Sequence, residues 1–230
     1  MDIKALKQSS KSALKGKWGI AIGALMIYGL VESIVNPTTS TNTMMLDDFV
    51  YSTFLGLGML ITIPLQVGVD WLFLDIYDGK EVKLKQIFEG FKCYLKILAI
   101  SLLMGLFIVL GLVLFLVPGV IIAINYSQAI FILRENPELG IREIMRESRR
   151  LMNGYKGRYF ALSLQLIGWL LIPATSYVLA MLLLFGGISI LSTLILLIIT
   201  IISSIGGILY IIPYYYTIFA GFYRELPNKR

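Results

Sequence analysis

The sequence predicts an all-α fold, a polytopic membrane helical bundle with about six transmembrane helices in three hairpins, each preceded by a basic amphipathic interfacial helix. Composition is the first observation: 57% of the 230 residues are hydrophobic and the mean hydropathy is +0.81. Soluble domains contain roughly 45–50% apolar residues. The second observation is that long apolar runs alternate with short basic segments.

The placement of the basic residues is the third observation. All 20 Lys and Arg residues fall within residues 1–17, 80–96, 134–158 and 224–230. With six spans, these four segments lie on one side of the membrane, and the positive-inside rule makes that side the cytoplasm. We therefore expect a multi-pass protein of the cytoplasmic membrane with both termini in the cytoplasm. A seventh span would place the last basic segment outside.

The first hairpin is predicted to begin with a basic amphipathic helix over residues 2–15, with Asp2 as its N-cap. Residues 19–35 form the first apolar span. This span is expected to be retained and not cleaved as a signal peptide, because further spans follow it. Residues 50–74 form the second span, which Pro64 is expected to kink or interrupt.

The second hairpin is predicted to begin with another basic amphipathic helix, over residues 80–94. Residues 95–117 form the third span, and Pro118-Gly119 is the expected turn. Residues 120–133 return the chain as the fourth span. This return has about 14 residues, fewer than the usual 17–25, so it needs neighbouring helices or a locally thinner bilayer.

The most basic segment precedes the third hairpin. A helix is predicted with Asn136 as its N-cap, Pro137 in its first turn and its end near Asn153. Its apolar side chains recur at helical spacing on one face: Ile141, Ile144, Met145, Ser148, Leu151 and Met152. Such a helix can lie in the interface with its apolar face in the membrane and its arginines at the headgroups. The alternative is a surface helix that packs on its neighbours.

Residues 159–223 contain no charged side chain. Two long spans or three short ones could fill this run, and Gly186-Gly187 is the expected turn for two. The second has about 36 residues and would be about 54 Å long as a straight helix, so it must bend, project or break. Gly206-Gly207 and Pro213 are the expected sites.

The order of a basic helix, a span out and a span back occurs three times. We treat residues 1–230 as one integral membrane domain with repeats over residues 2–77, 80–134 and 137–226. The pattern fits either a duplication or an independent use of the same hairpin design.

The absent residue types exclude several kinds of chemistry. The chain has no histidine and one cysteine, Cys93, so an intramolecular disulfide, a thiolate metal cluster and a Ser-His or Cys-His catalytic pair are excluded. A membrane enzyme would need Asp70 or Glu32 beside a second acid. We predict that the protein is not an enzyme, uses no cofactor or metal, and binds no nucleic acid.

The basic side chains that follow the fourth span are the strongest functional candidates. Arginine forks suit phosphate, and each basic residue near anionic lipid contributes about 1 kcal/mol. The predicted headgroup-binding residues are Arg142, Arg146, Arg149, Arg150, Lys156 and Arg158. This hypothesis makes the protein a non-enzymatic module that binds anionic lipids or partner proteins, and it leaves the oligomeric state open. Membrane topology alone would also explain these charges.

Polar side chains within the spans are the second set of candidates. Asp70, Asn125 and Gln128, with Gln66 and Gln165, could line a polar path, which would indicate a transporter or permease subunit. The alternatives are that Asp70 reaches the interface and that the amides form hydrogen bonds between helices.

Short motifs along the chain resemble those of a bacterial integral membrane protein family, domain of unknown function 975. They are Val117-Pro118-Gly119-Val120-Ile121, Tyr126, Ile132-Leu133, Asn136-Pro137, Ser148 to Met152, Gly154, Lys156, Phe160, Leu162, Leu164, Ile167-Gly168-Trp169, Pro213-Tyr214, Ala220, Phe222-Tyr223 and Leu226. The resemblance covers most of the chain and is strongest over residues 88–169. It departs between Trp169 and Pro213, where this chain is longer. It implies a cytoplasmic-membrane protein of a Gram-positive-type bacterium, and it implies no activity.

Overall fold

The computed structural model describes residues 2–35, 46–185 and 190–226. Within these ranges the chain forms ten α-helices, one 3₁₀-helix and one π-helical turn, and it forms no β-strand. The all-α prediction is therefore confirmed.

The first hairpin follows the predicted order. The amphipathic helix α1 (Ile3–Ala13) is capped by Asp2, whose carboxylate accepts a hydrogen bond from the Lys4 N–H at 2.9 Å. The spans are α2 (Trp18–Val35) and α3 (Leu46–Tyr77). Pro64 lies inside α3, and the helix continues past it without interruption.

The second hairpin differs from the prediction in two places. Its amphipathic segment is a 3₁₀-helix (Leu84–Cys93), which leads directly into α4 (Tyr94–Leu114). The turn lies at Phe115, in extended backbone conformation, and not at Pro118-Gly119. Pro118 belongs to the first turn of α5 (Leu116–Tyr126), where a missing N–H leaves no hydrogen bond unmade.

The fourth span consists of two helices in series. Helix α5 ends at Tyr126, and α6 (Ala129–Glu135) continues after a short break at Ser127-Gln128. Together they form an apolar segment of 20 residues, Leu116–Glu135. The predicted span of about 14 residues was therefore too short for this segment.

The most basic helix, α7 (Ile141–Leu151), begins later than predicted. Asn136 and Pro137 belong to a separate turn, in which the Pro137 carbonyl accepts a hydrogen bond from Lys96 Nζ. The N-cap is Gly140, whose N–H donates to the Glu143 carboxylate at 3.0 Å. A carboxylate in the first helical turn also interacts favourably with the helix dipole.

The third hairpin has a change of helix type at Gly206-Gly207, one of the predicted sites for a bend or break. Its helices are α8 (Lys156–Phe185), α9 (Ile190–Gly206) and α10 (Ile212–Glu225). A π-helical turn (Gly207–Ile211) separates the last two. The predicted turn at Gly186-Gly187 lies outside the described residues.

Six helical segments within the described ranges are long and apolar enough to cross a membrane. They are Trp18–Val35, Gly56–Tyr77, Leu84–Leu114, Leu116–Glu135, Lys156–Phe185 and Leu191–Glu225. Because this number matches the predicted six, the chain has the helices of a six-span membrane protein.

The apolar faces of the two basic helices are covered by protein. Leu6 and Leu14 are fully buried where α1 packs against α10 and α3. Ile144 and Leu151 are buried where α7 packs against α5 and α6. The expectation that the apolar face of α7 lies in lipid is therefore corrected: the face packs on neighbouring helices, and the arginines are exposed.

The 3₁₀-helix approaches α3 so closely that the contact requires glycine on both sides. A Cβ atom on Gly68 would lie 1.7 Å from the Ile87 carbonyl oxygen, and one on Gly90 would lie 2.0 Å from the Pro64 carbonyl oxygen. No larger side chain fits at either position without moving backbone. This contact fixes the second basic segment against the end of α3.

A cluster of charged side chains, the ion-pair cluster, joins the ends of several helices. It contains Asp75, Asp78, Lys80, Glu89, Arg134, Glu135 and Arg224. Its members come from the end of α3 and the turn after it, the 3₁₀-helix, α6 and α10. All three hairpins therefore contribute to one electrostatic contact.

Arg134 links Asp75 and Glu89 within the ion-pair cluster. Its guanidinium contacts the Asp75 carboxylate and the Trp71 carbonyl, and it lies over the Trp71 indole at 5.6 Å from the ring centroid. The nearest guanidinium nitrogen is 3.8 Å from Glu89 Oε2. The Asp75 side chain is only 4% exposed, so its charge depends on this pairing.

Arg224 links Asp78 and Glu135 within the same cluster. It donates two parallel hydrogen bonds of 2.6 Å to the Asp78 carboxylate and contacts Glu135. Lys80 Nζ lies 3.0 Å from Asp75 and 3.2 Å from Asp78. Burial opposes ionisation of Asp78, but hydrogen bonds from Arg224 and Lys80 hold the pKa of this carboxyl below its ordinary value. The hydrogen bond to Asp75 raises the pKa of the Lys80 amine.

Candidate functional site

A cavity of about 360 Å³, the basic cavity, lies where α7 turns into α8. It is lined by Arg146, Arg149, Arg150, Asn153 and Lys156. The turn depends on Gly154, whose φ of +82° lies in the left-handed region that favours glycine. This reversal places Lys156 beside the last turns of α7.

The charges of the basic cavity are mostly uncompensated. Arg150 is paired with Glu147, which accepts hydrogen bonds from its Nε at 2.8 Å and from a terminal nitrogen at 2.5 Å. Arg146, Arg149 and Lys156 have no ion pair with any described residue. Three cations therefore surround one concave surface without an acidic partner.

A second cavity of about 250 Å³, the aromatic cavity, adjoins the basic cavity. Arg146 and Arg149 line both of them. The aromatic cavity adds Arg142 and Met145, with Phe107 and Tyr126 from the span helices α4 and α5. The two rings stack with their centroids 6.0 Å apart. A cationic surface thus continues into an aromatic one on membrane-spanning helices.

Arg158 is separate from this arrangement. Its guanidinium lies over the Tyr155 ring, 5.5 Å from the centroid, and it lines neither the basic nor the aromatic cavity. Five of the six predicted headgroup-binding residues therefore converge on two adjoining cavities.

The buried amides Asn125 and Gln128 lie beneath α7. Ser148 Oγ donates to the Asn125 carbonyl at 2.8 Å and accepts from the Gln128 N–H at 3.3 Å. The Gln128 amide nitrogen also donates to Ser127 Oγ at 2.8 Å. The two side-chain amide oxygens are buried and have no hydrogen-bond partner among the described residues. These contacts hold α7 against the break between α5 and α6.

Asp70 belongs to a different polar group. Gln66 Nε2 lies 3.5 Å from the Asp70 carboxylate and 2.8 Å from Tyr216 Oη. Asp70 and Gln66 line two cavities, and neither Asn125 nor Gln128 lines either of them. The structure therefore does not bring the three predicted intramembrane polar residues together in one path.

Two names distinguish the cavities beside Asp70. The Tyr216 cavity, of about 440 Å³, has the polar lining residues Gln66, Asp70, Ser127, Tyr159, Tyr215 and Tyr216. The Tyr28 cavity, of about 530 Å³, has the polar lining residues Tyr28, Glu32, Thr62, Gln66, Asp70 and Ser101. Asp70 and Gln66 thus stand between the two.

Gln165 lies in a third place. Its side-chain oxygen accepts a hydrogen bond of 2.5 Å from Lys7 Nζ. Both line an open groove of about 910 Å³ between α8, the π-helical turn and α10. Trp169 and the glycine pair Gly206-Gly207 form part of its largely apolar wall.

A family model described as protein of unknown function (DUF975) matches residues 1–125 and 107–230. The chain belongs to this family. The two matched ranges together extend over the whole chain, so the family resemblance predicted from the motifs is confirmed. No curated protein and no solved structure matches the chain.

The ion-pair cluster of this DUF975 protein was not predicted from its sequence. The positive-inside rule accounts for Arg134 and Arg224 within the predicted basic segments, and no partner was predicted for Asp75 or Asp78. A signal was present, because the acids end one predicted span, the arginines end two others, and the six-span prediction places all these ends on one side of the membrane. Their pairing required knowledge of which helices are neighbours.

Proposed function

We propose that this DUF975 protein is a non-enzymatic module of the cytoplasmic membrane that binds an anionic phospholipid at the basic cavity. The phosphate lies between Arg146, Arg149 and Lys156, and an acyl chain extends along Phe107 and Tyr126. The observation that carries the proposal is the set of three cations without acidic partners beside an aromatic surface on span helices.

The chemistry of the lining residues fits a phosphate diester. Arginine presents two parallel N–H donors to phosphate oxygens, and lysine adds a mobile point charge. The Asn153 amide can donate to a headgroup hydroxyl or phosphate oxygen. These side chains include no acid that would repel a phosphate, which supports the binding of an anionic headgroup.

The membrane topology supports the same ligand. With six spans, the basic cavity lies on the side that carries all the basic segments, which the positive-inside rule makes the cytoplasmic side. Anionic lipids give the cytoplasmic leaflet its negative surface potential. The ligand and the cavity then occupy the same leaflet.

The test is lipid binding by the purified full chain in detergent, measured by native mass spectrometry with phosphatidylglycerol. The triple variant Arg146→Gln/Arg149→Gln/Lys156→Gln is expected to bind about 100-fold more weakly, because each residue contributes about 1 kcal/mol. The matched control is Lys4→Gln/Lys11→Gln/Lys15→Gln, which removes the same charge from exposed positions on α1 and in the turn after it. The control should bind like the unmodified chain.

Two further ligands distinguish the binding of a whole anionic phospholipid from the binding of its phosphate group or its acyl chains alone. Glycerol phosphate has the same charged group without acyl chains and is expected to bind far more weakly than phosphatidylglycerol. Phosphatidylcholine has the acyl chains without net negative charge and should also bind weakly. Equal binding of phosphatidylglycerol by the triple variant and the unmodified chain would refute the proposal.

A further inference from the structure

Asp70 is a carboxylic acid within a helix that is long and apolar enough to span a membrane, and none of the described cations is paired with it. It lies in the apolar segment Gly56–Tyr77. No Lys or Arg of the described chain is within ion-pair distance of it, and Arg134, on the neighbouring α6, is engaged by Asp75. An ionised carboxylate without a partner is costly in a medium of low dielectric constant. Proton uptake removes that cost.

The surroundings of Asp70 contain hydrogen-bonding groups but no compensating charge. Helix α2 contributes Tyr28 and Glu32, α8 contributes Tyr159, and α10 contributes Tyr215 and Tyr216. From α4 and α6 come only Ser101, which is not acidic or basic, and apolar side chains. The titratable groups that face Asp70 are therefore phenols and one further carboxyl, and none of them is a cation.

The two cavities beside Asp70 reach different parts of the helices that line them. The Tyr28 cavity reaches Met59, eleven positions earlier in α3, which corresponds to about 16 Å at the α-helical rise of 1.5 Å per residue. It also reaches Glu32, near the end of α2 remote from the basic segments. The Tyr216 cavity reaches Tyr159, one turn after the start of α8 at Lys156.

We propose that Asp70 is the proton-binding site of a pathway that connects the two sides of the membrane through the Tyr28 and Tyr216 cavities. A carboxylate oxygen of Asp70 takes a proton from hydronium in one cavity, which leaves water and a neutral carboxylic acid. The same O–H bond then breaks toward water in the other cavity and restores the carboxylate. Gln66 positions the carboxyl group, because its amide also donates to Tyr216 on α10.

This inference is independent of lipid binding at the basic cavity. No residue lines both the basic cavity and either Asp70 cavity. The variants that test the two proposals can therefore be compared in the same assay.

The experiment measures proton flux into liposomes that contain the purified full chain and a pH-sensitive dye. A potassium gradient with valinomycin supplies the driving voltage. The unmodified chain is expected to change the internal pH faster than protein-free liposomes. Asp70→Asn, which has nearly the same shape but cannot exchange a proton, should reduce the flux to the protein-free rate. The matched control is Glu138→Gln, which removes an exposed acid remote from both cavities.

A second measurement needs no variant. Hydrophobic carbodiimides react with protonated carboxyl groups in apolar surroundings, so the reagent should label Asp70 in the unmodified chain and stop the flux. Labelling, located by peptide mass spectrometry, should decline as the pH is raised. Absence of labelling at every pH would overturn the proposal.

The results of the flux measurement also decide whether the proposal holds. Flux by the unmodified chain no faster than in protein-free liposomes, equal flux in the Asp70→Asn variant, or a flux that follows a sodium gradient and not the pH would each overturn the proposal. Normal proton flux in the lipid-binding triple variant would support two separate sites.

Discussion

The end of α3 and the helix pair α8 and α9 of the third hairpin are both strongly apolar, but they are held in place very differently. From Val69 to Ile76, the α3 side chains Val69, Leu72, Phe73, Leu74 and Ile76 are fully buried. In the third hairpin, Leu171 is 53% exposed and Leu182 is 64% exposed. Helices α8 and α9 pack mainly against each other.

This difference shows which forces select a membrane protein's packing. Lipid chains are as apolar as leucine, so apolar exposure to lipid does not by itself drive helices together. Contacts that drive helices together must therefore provide an interaction that lipid chains cannot provide. At the end of α3 these are a glycine crossing with the 3₁₀-helix and the ion-pair cluster. The third hairpin has no ion pair between Tyr159 and Phe185, where the chain carries no charge.

The largest expected effect comes from removing the more buried of the two cations that pair with Asp75. Arg134→Gln should lower the free energy of unfolding by about 3 kcal/mol, because the buried Asp75 carboxylate then keeps only the exposed Lys80 amine as an ion-pair partner. The measurement is the thermal unfolding midpoint in detergent. The matched control, Arg158→Gln at the start of the third hairpin, removes only a contact with the Tyr155 ring and should change stability by about 0.5 kcal/mol. Equal losses would remove the distinction between the two regions.

A smaller effect is expected from one added methyl group. Gly68→Ala would place a Cβ 1.7 Å from the Ile87 carbonyl oxygen, and the required backbone shift should destabilise the protein by about 2 kcal/mol. Gly168→Ala on α8 meets no atom within 4 Å and should be neutral or slightly stabilising, since alanine favours helix. The thermal midpoints of the two variants measure the contrast. A Gly68→Ala variant as stable as Gly168→Ala would show that the crossing is not tight.

The smallest expected effect is a pH dependence at the ion-pair cluster. The pKa of Asp78 is lower in the folded protein than its ordinary value of 3.8. Its contribution to stability is therefore complete above that value and is lost as the pH falls through the lower folded-state pKa. The unfolding midpoint of the unmodified chain should decline in this acidic range, and Asp78→Asn should show a shallower decline. Parallel pH profiles would contradict the assigned role of Arg224 and Lys80.

The sequence predicted the elements that depend on composition and on local chemistry. Six apolar spans, the Asp2 cap and the irregularity after Gly206 all follow from residues that are close together in the chain. The predicted start of α7 at Asn136 was wrong because a distant residue, Lys96, holds the preceding turn. The predicted turn at Pro118-Gly119 was also wrong, and the chain reverses at Phe115.

The candidate sites show the same limit. The five basic residues around the basic and aromatic cavities are close in sequence. Their spacing was therefore enough to predict them as one headgroup-binding group. Their association with Phe107 and Tyr126 depends on how α4 and α5 pack. Asp70 was predicted together with Asn125 and Gln128, whereas its neighbours Tyr28, Tyr159 and Tyr216 are brought together only by the contacts among α2, α3, α8 and α10.

The ion-pair cluster also has a consequence for the order of assembly during synthesis. Arg224 lies 146 positions after its partner Asp78. At about 5–20 residues per second, roughly 7–30 s pass between the translation of the two residues. During that interval the first two hairpins can enter the bilayer before Arg224 is available to pair with Asp78 and Glu135. Helix α10 is synthesised last and supplies Arg224. A ribosome stalled before α10 would therefore leave a nascent chain that has the earlier spans but lacks the ion pairs of Arg224 with Asp78 and Glu135.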